Sequence, residues 1–549
     1  MNSSSQTTAT EPLALHELMS RILVTQPSRS KGINRLLPTA GTLQSWNQKL
    51  VQNSVADFVN SALRGVGQVI FVNNPISGAL ILLALFVQSA WVGWMGLLGV
   101  VSSTTAAKLL KLDAPTTRNG IFGYNGLLVG AALATFSNPI SGLDYGSWAI
   151  AVILFASLST LLMKTLGVWW AKTVHTPPLT LPFNIATLIC LALVAWIPQP
   201  WLQLGAAAEP SSLDVLQWGQ IGASLPLGFG QVFLADSWIA GLLILLAVAV
   251  CTPLGAAVGL LGGVANILAG VLIGAPVDTL YAGLWAYNGV LCAMAIGGVF
   301  YAPTLKSIGI GAIAAFISGL VGGGLGLVFS AVGLPVLTVP FCLVTIGCFV
   351  LLQHSLPSLV PVALHAVASP EEHRQRYLAA RQIITTFRRQ LGLAIGGTRQ
   401  LYCLERATDS VKGDLRYLFN RIDEDGSGSL STEELAMHLG QSGQTLSETE
   451  LSYLMDCMDI DNSGTVDFEE FGELMLRHRR LMANYTEFVT YFLPIDADDD
   501  DAISLTEMNV AMASVGKPPL STPEAEFIKS QTGHRVLTWN RFIELLLVT

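Results

Sequence analysis

Residues 423–434 read DEDGSGSLSTEE, and residues 459–470 read DIDNSGTVDFEE. Each stretch sets oxygen-bearing side chains at alternate positions and ends on a glutamate. In the first, Asp423, Asp425, Ser427, Ser429 (through its carbonyl), Ser431 and Glu434 fall at positions 1, 3, 5, 7, 9 and 12. In the second the same places hold Asp459, Asp461, Ser463, Thr465, Asp467 and Glu470. Gly428 and Gly464 stand at position 6, where the backbone must turn sharply. A hard cation taking roughly six to eight oxygens, the last a bidentate carboxylate, needs this spacing, and that cation is calcium. An ordinary acidic surface loop needs none of this regularity.

DADDDDAISLTE, residues 496–507, is a third copy, with Asp496, Asp498, Asp500, Ser504 and Glu507 suitable as ligands. Asp501 replaces the turn glycine, a substitution aspartate tolerates at some conformational cost. SQTGHRVLTWNR, residues 530–541, has lost its carboxylates and ends in Arg541, so it is expected to pair structurally without metal. Four units starting at 423, 459, 496 and 530 resemble the EF-hands of a two-lobed calmodulin-like domain.

A second chemistry lies upstream. Residues 177–183 read PPLTLPF and residues 335–341 read PVLTVPF. Two prolines stop a helix from running straight through, and carbonyls freed by such a break can face a cavity at membrane depth. Thr180 and Thr338 each bring a hydroxyl that donates and accepts, and Phe183 and Phe341 can wall a passage. Gln68 and Gln231 form another matched pair, each a carboxamide at the start of an apolar run. Tyr124-Asn125-Gly126 and Tyr287-Asn288-Gly289 form a third, offering flat rings to a planar solute. A plain turn and helix start would also use Asn-Gly.

These pairs sit inside a duplication. QVIFVNNPISGALILL (68–83) aligns without a gap on QVFLADSWIAGLLILL (231–246), and GYNGLLVG (123–130) on AYNGVLCA (286–293). The region is a membrane domain by composition. The chain has 549 residues, of which 51% are hydrophobic and 12% charged, and its mean hydropathy is +0.54. Soluble proteins carry about 25% charged residues. Residues 237–277 and 307–369 hold no Asp, Glu, Lys or Arg, and about 20 apolar residues suffice to span a bilayer. Apolar segments are expected near 76–101, 101–111, 121–136, 148–168 and 182–197, and again near 238–262, 263–275, 284–300, 309–333 and 340–360. Five per half is odd, so the second copy would enter from the opposite side. Inverted repeats with broken helices place a solute site at their interface.

The expected architecture is all-α. A cytoplasmic amphipathic segment covers 1–66, and a multi-pass membrane domain covers 67–366 with inverted repeats at 67–200 and 230–366. An Arg-rich helical linker follows at 367–402, then a calcium-binding helical domain at 403–549. Basic flanks, with Arg64 on one side and Arg388 on the other, favour the cytoplasm for both termini. The membrane is expected to be a plasma or inner membrane. The seven cysteines are scattered, without a zinc or disulfide pattern. The glycines at 254–275 and 319–326 read as close helix packing.

Missing groups narrow the function. A coupled carrier usually needs an ionisable group inside a span, yet Asp236 is the one candidate near an apolar core and its counterpart, Asn73, is neutral. No nucleotide-binding loop, no zinc-protease motif and no catalytic constellation is visible, so an enzyme is not expected. A lining of amides, hydroxyls and rings suits a neutral polar solute moving downhill and rejects ions.

Together the doubled phrase, the paired glutamines and the paired YNG segments resemble the urea transporter family over residues 50–366. Thr176 stands where the family usually has Leu, whereas Leu334 keeps it. The resemblance implies a passive urea channel in each subunit of a homotrimer set in lipid. It implies that Thr180 and Thr338 lie near the narrow centre and that Gln68 and Gln231 lie at two amide-binding sites. Tyr124 and Tyr287 replace rings that are often Phe, and Phe71, Leu128, Leu234 and Leu291 become apolar slot walls. Another small neutral amide or ammonia is the alternative cargo, with the calcium domain a buffer or docking module. Nucleic acid is not an expected partner.

Overall fold

A computed structural model describes residues 40–139, 142–173, 176–197, 202, 204–205, 216–355, 359, 361–362, 368–396, 402–441, 447–459, 461, 463–483, 502–532 and 536–538. The chain divides into two compact units, residues 33–374 and residues 375–549 with 1–32.

The larger unit is helical. It begins with α1 (Gln44–Leu50), α2 (Ser54–Gln68), α3 (Pro75–Gln88), α4 (Ala90–Leu109), α5 (Ala114–Arg118), α6 (Tyr124–Phe136), α7 (Gly142–Thr173) and α8 (Leu181–Trp196). Then come α9 (Trp218–Gln231), α10 (Trp238–Cys251), α11 (Pro253–Leu272), α12 (Val277–Tyr281), α13 (Tyr287–Met294) with a π-turn at Ala295–Val299, α14 (Leu305–Ala331) and α15 (Val339–Ser355). From α3 to α7, each helix start recurs 163 residues later: 75 and 238, 90 and 253, 114 and 277, 124 and 287, 142 and 305. The last helix of each half, at 181 and 339, recurs at the shorter offset of the doubled proline phrase.

The apolar segments are cut differently from the sequence expectation. The run expected over 76–101 breaks at Ser89, which is extended (φ −163°, ψ 131°), and the run over 238–262 breaks at Thr252 (φ −149°, ψ 93°). The break in the second half is encoded: Thr252 caps the next helix through Gly255 N–H and Pro253 starts it, as proline does at a first helical position. In the first half nothing but Ser89 marks the site, and hydropathy runs through it. Among the described residues, three helices are long and apolar enough to cross a membrane, Gly142–Trp170, Pro253–Leu272 and Leu305–Ala331.

Small residues set the packing. A methyl group on Gly262 would collide with the Gly289 carbonyl, and one on Gly319 would lie 2.7 Å from the Ala269 methyl. Among the described residues, a methyl group on Gly324 or Gly326 would meet nothing, so packing within the chain accounts for Gly319 but not for those two.

The smaller unit continues α16 (Pro370–Ile395), whose first residues belong to the larger one. It adds α17 (Tyr402–Glu405), α18 (Asp409–Ile422), β1 (Ser429–Leu430), α19 (Thr432–Gln441), α20 (Glu448–Met458), β2 (Val466–Asp467), α21 (Phe468–Ala483), β3 (Ala502–Ser504), α22 (Leu505–Ser514), α23 (Thr522–Thr532) and β4 (Val536–Thr538). Two antiparallel pairs join the loops. β1 meets β2 with Leu430 opposite Val466, and β3 meets β4 with Ile503 opposite Leu537. The fourth loop therefore keeps its structural partner although its carboxylates are gone. Ala380, Ile383, Ile384, Phe387 and Leu391 of α16 share one apolar core with the calcium-loop helices. Their spacing of three and four residues is the stripe an amphipathic helix buries.

Candidate functional site

Thr180 and Thr338 stand immediately before α8 and α15, and both are 3% exposed. Their hydroxyl oxygens lie 2.7 Å apart. Cys342 Sγ is 3.1 Å from the Thr180 hydroxyl. Asn184 Nδ2 donates to the Thr180 carbonyl and to the Thr338 hydroxyl, 3.0 Å each, while Asn184 Oδ1 accepts the Thr338 N–H at 3.2 Å. Asn184 and Cys342 occupy the same place in the two copies, four residues after each threonine. The sequence reading overlooked both, because their letters differ. Two helix N-termini thus meet beside two hydroxyls, a carboxamide and a thiol. The N-terminal ends of the two helix dipoles carry partial positive charge, which disfavours a cation and tolerates a neutral solute.

Why the threonine hydroxyls are available is a matter of capping. An Ncap threonine ordinarily spends its oxygen on the N–H of the first turn. Thr180 makes no such bond. Instead Asn125 Oδ1 accepts the Phe183 N–H at 3.2 Å, and Asn288 Oδ1 accepts the Phe341 N–H at 3.3 Å. The Asn of each Tyr-Asn-Gly therefore performs the cap from a different helix. The tyrosines act alongside. Tyr124 donates its hydroxyl to the Leu179 carbonyl, and Tyr287 donates to the Leu337 carbonyl at 2.6 Å. Leu179 and Leu337 both have φ of 52°, a left-handed conformation that costs a branched residue energy and persists only when its surroundings over-determine it. The Tyr-Asn pair over-determines it twice.

The glutamines occupy matched positions further out. Gln68 Nε2 donates to the Asn119 carbonyl at 2.9 Å, and Gln231 Nε2 donates to the Ala282 carbonyl at 3.0 Å. Three residues on, Phe71 (φ 62°) and Leu234 (φ 59°) turn the chain in the same way. The Phe71 ring meets Phe300 and Phe341 edge-on, with centroids 5.8 and 6.1 Å away. A cavity of about 480 Å³ gathers Gln231, Leu234, Tyr287 and Thr338, with Phe183 and Asn288 beside them. Gln68, Phe71, Tyr124, Leu128, Thr180 and Leu291 do not line that cavity. Leu128 and Leu291 are each 1% exposed and sit in the core. Asp236 is exposed and accepts from Gln88 rather than facing this cavity.

Arg64, read from sequence as flank charge, is fully buried. It donates to the carbonyls of Thr42 (2.7 Å), Leu43 (2.9 Å) and Asn73 (2.8 Å) and to Asn60 Oδ1.

In the smaller unit, carboxylate oxygens of Asp423, Asp425 and Glu434 converge within 4.8 Å of one another, as do those of Asp459, Asp461 and Glu470. The loops hold these oxygens with their own backbone. Ser427 N–H donates to Asp423 Oδ1 (3.0 Å) and Asp425 Oδ1 (2.8 Å), and Ser463 N–H does the same to Asp459 and Asp461. Gly428 (φ 82°) and Gly464 (φ 85°) take the conformation that position 6 demands. The hydroxyls of Ser427 and Ser463 donate to the seventh-position carbonyls of Ser429 and Thr465. Glu434 Oε2 accepts the Ser431 N–H, and Glu470 Oε2 accepts the Asp467 N–H. Hydrogen bonds from Ser427 hold the Asp425 carboxyl below its ordinary range. Burial pushes Glu434 up, but bonds from Ser431 outweigh it and leave Glu434 low as well. An all-oxygen set of ionised carboxylates fits calcium. In the third loop, Ser504 and Glu507 cap α22 reciprocally, while Asp496, Asp498 and Asp500 lie outside the described residues.

Comparison with known proteins agrees with this division. A family profile for urea transporters matches residues 59–353, and one for an EF-hand domain pair matches residues 412–476. Urea transporter 1 of Ovis aries is 35% identical over 331 residues, covering 58% of this chain and 84% of that protein. Urea transporter 1 of Capra hircus gives the same figures, and that of Mus musculus is 34% identical over 334 residues, 84% of its length. With broken helices, mirrored clasps and an uncharged centre already in place, the chain belongs to the urea transporter family and carries an EF-hand domain behind its membrane part.

Proposed function

We propose that this protein conducts urea passively through an uncharged path between two inverted repeats. The path runs from Gln68 past Phe71, Tyr124 and Leu128 to Thr180 and Thr338, then past Leu291, Tyr287 and Leu234 to Gln231. The observation that carries the reading is the buried hydroxyl pair at the meeting of two helix N-termini. Urea offers N–H donors and a carbonyl acceptor, so hydroxyls and carboxamides replace its water at little cost. An ion would lose hydration with no opposite charge in return. Each subunit of a homotrimer holds one such path in the bilayer, with both termini cytoplasmic. The EF-hand loops hold calcium through Asp423, Asp425, Ser427, Ser429, Ser431 and Glu434, and through Asp459, Asp461, Ser463, Thr465, Asp467 and Glu470, and Asp496, Asp498, Asp500, Ser504 and Glu507 add a third site. Calcium there regulates the flux.

Stopped-flow uptake by proteoliposomes tests this. Urea is expected to enter far faster than in protein-free vesicles, without monovalent salt current. Equal or faster entry of acetamide or ammonia would move the cargo to another neutral solute, and a salt current would end the reading.

A further inference from the structure

The two ends of the proposed path are not alike. Gln231 and Tyr287 are half-buried and line the cavity, whereas Gln68 and Tyr124 are 8% and 7% exposed. Against the Gln68 end lie residues 40–50, joined to it through Asn119; the positions 163 residues later fall largely outside the described residues. Ala40 N–H donates to the Val250 carbonyl at 2.9 Å, and Asn74 Nδ2 donates to the Gly41 carbonyl at 2.6 Å. Leu43 adopts φ of 48°, and Arg64 holds its carbonyl. Beyond it, Gln44 and Asn47 of α1 donate to Asn119 Oδ1 at 3.2 and 3.3 Å. Asn119 is the residue whose carbonyl accepts Gln68. Asn60 and Asn73 join the same carboxamide cluster through Asn47 and Asn119. In the second half Ala282 stands at the place of Asn119, and Leu227 at the place of Arg64, so no such cluster can form there.

This cover is also latched. Thr42 donates its hydroxyl to Glu372 Oε1 at 3.3 Å, and Leu254 N–H, at the start of α11, donates to Glu371 Oε1 at 2.8 Å. Glu371 and Glu372 form the first turn of α16. The same helix carries Ile383, Ile384, Phe387 and Leu391 into the EF-hand core, where Arg388 binds Glu524 with two nitrogens, 2.9 Å each. One continuous helix therefore ends in the cover's latch and has its other part embedded in the calcium domain.

We propose that residues 40–50 are a lid that throttles the Gln68 end and that α16 is the lever by which the EF-hand domain sets it. The proposal rests on the reading that Gln68 lines the path. It assigns a task to a segment that neither the conduction chemistry nor calcium binding requires.

Two full-length variants in proteoliposomes test it. Thr42→Val cuts the latch, and Gln44→Ala with Asn47→Ala frees the lid from Asn119 without touching α16. Urea flux is measured with calcium and with chelator, and hydrogen exchange of the 44–50 amides is followed in parallel. Both variants are expected to exchange faster over 44–50 and to raise flux about fivefold, the population change that one net hydrogen bond produces. In Thr42→Val the difference between calcium and chelator should vanish, with calcium titration of the chain unchanged. Faster exchange with wild-type flux would overturn the lid, and so would unchanged exchange. Wild-type flux that is identical in calcium and chelator would overturn the lever. A wild-type chain that moves no urea would instead bring down the path itself, which the protein-free control reveals before any variant is compared.

Discussion

At the centre of the membrane unit the chemistry rests on single atoms. The Thr338 hydroxyl has one proton to give and two lone pairs, and Thr180 and Asn184 use them. Replacing Thr180 or Thr338 with Val keeps the shape and deletes the hydroxyl. Burying an unmet polar group costs about 1–3 kcal/mol, so each variant should slow urea entry by roughly 5- to 150-fold at unchanged expression, read by stopped-flow light scattering. Thr338→Val should be the more harmful, because it also leaves Asn184 Nδ2 short of an acceptor. The sequence exposed the threonines because the same letters recur in both copies. It hid Asn184 and Cys342, which are equivalent in place but unlike in type, and whose side chains each reach the other copy's threonine.

At the level of elements, the broken helices are held open by residues outside them. Asn125 and Asn288 cap α8 and α15 from α6 and α13, and the neighbouring tyrosines secure two left-handed leucines. Asn288→Leu should therefore cost about 1–3 kcal/mol for the orphaned Phe341 N–H. It should lower the thermal unfolding midpoint of the purified chain and, because Thr338 then turns to cap its own helix, also lower urea flux. A purely structural role would move the midpoint alone. Sequence pattern could mark Tyr-Asn-Gly as a pair, but read it as a slot wall or a turn; the capping task depends on which helix packs beside it. The break at Ser89 was invisible for a related reason, since one extended residue interrupts an apolar run without altering its hydropathy.

On the scale of the molecule, the basic linker turns out to be anchored by its apolar side. Arg388 meets Glu524 and the carbonyls of Pro518 and Pro519, not a calcium loop. Burial raises the Glu524 carboxyl, but Ser521 and Arg388 more than offset this and leave it below the ordinary 4.5. The folded unit thus binds its proton more weakly than the unfolded chain does, so this contact stabilises fully above about pH 4.5 and fades as pH falls through the lower folded value. Glu524→Gln should flatten that acid-side loss in thermal unfolding monitored between pH 3 and 6, by an amount no larger than about 1 kcal/mol for a partly exposed pair. The duplication has a last consequence. A gene built from two first halves would bring two carboxamides and no sulfur to the middle, and one built from two second halves would bring two sulfurs and no carboxamide. The halves have ceased to be spare parts for one another, and neither hybrid could rebuild the asymmetric knot of hydroxyls, carboxamide and thiol at the middle.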